Sequence, residues 1–159
     1  MITQDRQPYI NGRQDAAFQF FGCPTVMRST GETTDNHFLL MESLDMPPAM
    51  ASPYHVHHNE DEAFYVLEGE LAVVLDGKWL TAGPGTYVYG PRDIPHGFKV
   101  VGKMPARILL LCAPAGFEGF VRDLSMPLDA APAPPDMALL MAAAAKYNIE
   151  ILGPLPEQP

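Results

Sequence analysis

The chain has 159 residues, 47% of them apolar, enough for one compact domain with a core of its own. A formal charge of -9 at pH 7, with no cluster of Lys or Arg, argues against nucleic acid and anionic membrane surfaces and leaves a small molecule as the expected partner. Cys23 and Cys112 form no CxxC pair, so a disulfide or a zinc knuckle gives way to buried thiols in a reducing compartment.

In chain order, residues 1–35 read as an N-terminal extension with the first strands, 36–115 as a barrel and 116–159 as a helical tail with a Pro-rich linker. The opening "MITQDRQPYINGRQD" is polar where a signal peptide needs an apolar run, and the apolar stretch 137–145 is half a membrane span, so a soluble, cytoplasmic protein is expected. Eight short β runs follow: "PTVMRS", "HFLLMESL", "AFYVLEG", "ELAVVLDG", "KWLTAG", "GTYVYG", "HGFKVVG" and "ARILLLC". Short strands set apart by Gly-containing turns predict an all-β jelly roll.

Beyond Cys112 the pattern changes. "FEGFVRDL" predicts a short helix and "PLDAAPAPP" an extended linker. In "DMALLMAAAAKYN", Asp136 is placed to cap the N-terminus, Lys146 lies in the last turn and Asn148 can take a left-handed C-terminal position. This helix is apolar nearly all round, so it is expected to pack on the barrel or on a second copy of the chain. We expect a homodimer, with the helix or the N-terminal segment covering a sheet edge or the partner. Light scattering at micromolar concentration should exceed the monomer mass of 17.4 kDa; the monomer value would contradict pairing.

The chemistry concentrates in "SPYHVHHNEDEAFYVLEGE", residues 52–70, where three of five histidines fall within four positions. Residues two apart on a strand share a face, so His55 and His57 point together and His58 points away. Glu62 is expected to reach the same interior point from the adjacent strand, and His96 follows a Pro-bounded turn in "PGTYVYGPRDIPHGF". Three imidazoles and a carboxylate suit one divalent ion, Fe, Mn, Ni, Co, Cu or Zn, with its identity open. Because bound imidazoles must be neutral, occupancy is expected to fall below about pH 6.

Other polar residues receive plainer readings. Glu60 and Asp61 read as a solvated acidic turn, His58 as surface or outer support, His37 as structural, and Arg92 and Lys99 as solvated cations. Phe64, Tyr87, Tyr89 and Phe98 read as core filler, Phe64 and Phe98 having the better claim on a pocket because each lies two residues from a proposed ligand.

At these residues the chain resembles the cupin superfamily. The first cupin motif, G(X)5HXH(X)3-4E(X)6G, is matched by His55, His57, Glu62 and Gly69, with Ala49 in place of the leading Gly. The second, G(X)5PXG(X)2H(X)3N, is matched by Gly85, Pro91 and His96, with Asp93 and Val100 replacing its middle Gly and terminal Asn. "DEAFYVLEGEL", "GPRDIPHGF", "APAGFEGFVRDL" and "AKYNIEILGP" extend a resemblance to single-domain quercetin 2,3-dioxygenase-like cupins over residues 36–154. The resemblance implies a cupin-type double-stranded β-helix and one metal ion per chain on His55, His57, Glu62 and His96. It also implies dioxygenase chemistry on a small aromatic or enolisable substrate, with Glu62 as the catalytic base. The alternatives are a redox-neutral isomerase or cyclase, and a non-catalytic metal-dependent binding protein.

Overall fold

The structure, a computed structural model, describes residues 7–12, 18–131 and 133–158. In chain order it forms β1 (Phe18–Phe20), β2 (Cys23–Ser29), α1 (Gly31–Thr34), β3 (Leu39–Met46), β4 (Tyr54–His57), β5 (Asp61–Glu68) and β6 (Glu70–Leu75). There follow β7 (Lys78–Ala82), β8 (Tyr87–Gly90), β9 (His96–Val101), β10 (Ala106–Ala113), α2 (Phe117–Leu124), β11 (Ser125–Pro127), α3 (Met137–Lys146) and β12 (Ile149–Gly153).

The strands build two antiparallel sheets, ordered β11-β1-β2-β3-β10-β5-β8 and β12-β4-β9-β6-β7. Alternation decides which side chains meet between them: Val66 of β5, Leu71 and Val73 of β6, Val100 of β9 and Ile108 of β10 are all at most 1% exposed. The jelly-roll expectation therefore holds. Cys23 and Cys112 are buried free thiols, and burial pushes both thiols up from their ordinary pKa.

Turn chemistry sets the register. Between β6 and β7, Asp76 and Gly77 both have positive φ (47° and 75°), the conformation of a two-residue hairpin, and Leu75 pairs with Lys78 across it. At Gly69 (φ 76°) a Cβ would lie 2.6 Å from the Ala106 Cα and the Pro105 carbonyl, so only glycine lets β5 pass into β6 against that backbone.

The tail is woven into the body. β12 pairs with β4, placing Ile149 opposite His57 and Ile151 opposite His55. Asp136 caps α3 by accepting from the Ala138 and Leu139 amides at 2.9 and 3.1 Å, and Asn148 follows with φ 57°. α3 buries Leu140, Ala143 and Ala144, while Met137, Leu139 and Met141 remain exposed. Among the described residues no helix is long and apolar enough to cross a membrane.

Candidate metal centre

His55 and His57 share one face of β4, and the single β4–β9 pairing sets His55 opposite His96, the first residue of β9. Glu62 arrives differently from expectation. Its strand, β5, belongs to the seven-stranded sheet and not to the sheet of β4, because residues 58–60 carry the chain across the sandwich. The carboxylate thus faces the imidazoles from the opposite wall.

Residues 91–95, from β8 to β9, make another crossing beside that of 58–60, and the two are pinned together. The Asp93 amide donates to the His57 carbonyl at 2.8 Å, and the Asp93 carboxylate lies 2.6 Å from His58 Nδ1. Asp93 has φ 66°, a conformation that Asp tolerates better than most residues, so the turn keeps its shape without the motif glycine. The Arg92 backbone and guanidinium both donate to Asp61, so these two charges, solvated as the sequence predicts, also clasp each other. His58 turns outward to Asp93 and Glu150, and His37 contacts the Thr34 carbonyl at 2.7 Å, a local structural bond.

One ligating atom from each of His55, His57, Glu62 and His96 lies within 4.8 Å of all the others. His55 and His96 direct Nδ1 at the carbonyls of Pro53 and Ile94, at 2.8 and 2.9 Å, which leaves each Nε2 for the interior. His96 Nε2 is 2.6 Å from the Glu62 Oε2, and His57 Nε2 is 3.7 Å from the same oxygen. His57 Nε2 is buried without a hydrogen-bond partner. A buried lone imidazole nitrogen beside two further imidazoles and a carboxylate fits a divalent transition ion.

The electrostatics follow from that crowding. Burial would raise Glu62, but the hydrogen bond from His96 and the charges of the three histidines hold it down to about 2. Burial lowers His55 to about 4. Burial also opposes a proton on His96, yet the Glu62 hydrogen bond and charge raise its pKa above the ordinary 6.5. An ion competes with the proton of His96, and the sign is fixed: metal affinity weakens as pH falls through the raised His96 value. Near neutral pH neither His55 nor Glu62 has a proton to lose. We expect Co(II) affinity to fall about tenfold per pH unit below that value, starting higher than a free imidazole would dictate. Chelator competition at several pH values between roughly 6 and 8 reads this; a flat profile would contradict a protonated His96–Glu62 pair.

Three of the four cluster residues, His55, His57 and Glu62, line a cavity of about 610 Å³, with Ser43 and Ser52 also on its surface. Its walls include Met41, Met46, Phe98, Ile108, Phe117 and Leu140. No Lys or Arg lines it among the described residues. Of the four aromatics singled out in the sequence, Phe98 lines the cavity, and Phe64 packs behind it in the core with ring centroids 6.1 Å apart. Tyr87 and Tyr89 are 63% and 48% exposed: β8 is an edge strand whose outward positions they occupy, so neither fills the core.

Sequence reading missed two contributors. Glu60 is not a solvated acid but is 2% exposed, since the crossing turns it inward beside His57; its two-residue spacing from Glu62 was the available signal. Phe117 of α2 packs edge-on to His57, centroids 5.0 Å apart, and no strand periodicity points to it.

Residues 43–112 match the cupin domain family model. These residues carry a cupin domain. It is 27% identical over 121 residues to a quercetin 2,3-dioxygenase of Bacillus subtilis (strain 168), a match covering 76% of this cupin and 35% of that enzyme. The chain thus spans about a third of that relative's length. Among solved structures, KdgF from Halomonas sp. superposes with a TM-score of 0.62 at 16% identity, over 71% of this chain and 99% of that one. A Cupin 2 conserved barrel domain protein from Salinispora arenicola CNS-205 gives a TM-score of 0.56 at 16% identity, over 89% and 99%. Both structural likenesses are of fold.

Proposed function

We propose that this cupin is a mononuclear metal-dependent dioxygenase acting on a small, uncharged aromatic or enolisable substrate. The observation that carries the reading is that three members of the cluster, His55, His57 and Glu62, open onto a mainly apolar cavity with no Lys or Arg among its described lining residues. The likeness to a quercetin 2,3-dioxygenase supports the same class. Apolar walls reward an aromatic body, and with no Lys or Arg among the described lining residues an anionic group beyond the ion's reach would be left unpaired.

His55, His57, Glu62 and His96 would hold the ion, which when bound supplies charge stabilisation to a substrate oxygen and a centre for oxygen chemistry. The rest falls to the chain. Phe98 and Phe117 line the cavity, Phe117 against His57, and exclude water. Glu62, ionised at neutral pH and open to the cavity, accepts the proton of a substrate hydroxyl at a carboxylate oxygen. The resulting oxyanion is the electron-rich form that oxygen attacks.

Oxygen-electrode traces with a flavonol on Fe, Mn, Ni, Co and Cu reconstituted protein test this. Uptake is expected with at least one ion and none for metal-free protein, and a small dicarboxylate should not be consumed. Conversion without oxygen would turn the reading to an isomerase or cyclase, and binding by calorimetry without turnover would turn it to a binding protein.

A further inference from the structure

Two of the three imidazoles in the cluster are fixed by backbone carbonyls at Nδ1; the third is not. His57 Nδ1 is buried and has no hydrogen-bond partner. Beside it, 3.5 Å away, lies Oε2 of Glu60, which is equally buried and equally without a hydrogen-bond partner. Such a pair, both shielded from water and with the Phe117 ring against the imidazole, is costly to leave unmade.

We propose that Glu60 is a positioning residue for His57, accepting its Nδ1 proton so that Nε2 is held unprotonated toward the ion. This rests on the metal reading of the site. Closing the gap by roughly half an ångström makes a charge-assisted hydrogen bond. A carboxylate behind a ligating imidazole fixes its tautomer and makes it a better donor. The charge count agrees. Glu60 and Glu62 together balance one divalent ion, which explains how two acids are tolerated at 2% and 6% exposure.

The test compares the wild type with Glu60→Gln, which keeps an acceptor but loses the charge, and Glu60→Met, which loses both. Co(II) affinity by chelator competition should weaken about 10-fold in the first and towards 100-fold in the second, with the Co(II) absorption spectrum altered and the apo melting temperature retained. Should either variant fail to fold, Zn(II)-loaded wild-type protein labelled with ¹⁵N-histidine is read directly. The His57 Nδ1 proton should then resonate downfield of those of His55 and His96. Variants binding Co(II) as tightly as wild type, or a His57 without a proton on Nδ1, would overturn the proposal. A wild type that binds no Co(II) would remove the metal reading itself.

Discussion

Replacing Glu62 by glutamine should depress turnover about 10²- to 10⁴-fold while lowering metal content far less. The asymmetry follows from the chemistry of the two side chains. A glutamine carbonyl can still face the cluster from β5, within reach of the nitrogens that Glu62 Oε2 now approaches at 2.6 and 3.7 Å, so the ion keeps an oxygen donor. It cannot accept a proton. Glu62 is suited to that task because it is ionised across the neutral range and is one of the few polar groups on the cavity surface. Steady-state kinetics normalised to bound metal separate the two functions. A variant whose turnover falls only in step with its metal content would reduce Glu62 to a ligand.

Much of this was legible in the sequence because alternation and turn chemistry are local. His55 and His57 at a two-residue spacing, the Asp76-Gly77 hairpin and the Asp136 cap all appear where those rules place them. What was not legible depends on which sheet a strand joins. The five runs from "AFYVLEG" to "HGFKVVG" read as consecutive strands, yet they alternate between two sheets, and among the changes of sheet those at 58–60 and at 91–95 shape the site. Those crossings set Glu62 opposite β4 and turn Glu60 inward. "NIEILG" read as part of a tail, but β12 is the strand that braces His55 and His57 on β4, a pairing between residues nearly a hundred positions apart that no local signal encodes. Ala49, standing where the first motif has glycine, takes φ 68°, so the turn survives at a strain of about 1–2 kcal/mol.

His96→Ala carries the other large effect. Truncation removes one of three nitrogen donors together with the imidazole that holds Glu62 down. The buried carboxylate then loses its 2.6 Å partner, and breaking such a pair from one side costs about 3–5 kcal/mol. The apo protein should therefore melt lower even as its metal affinity drops by more than about 100-fold, beyond the loss expected for an outer support such as Glu60. Metal content per chain, measured by elemental analysis after exhaustive dialysis against metal-free buffer at neutral pH, is the most direct test of the four-residue site. Wild type should retain about one divalent ion per chain and folded His96→Ala almost none. Equal occupancy in the two proteins would contradict the assignment.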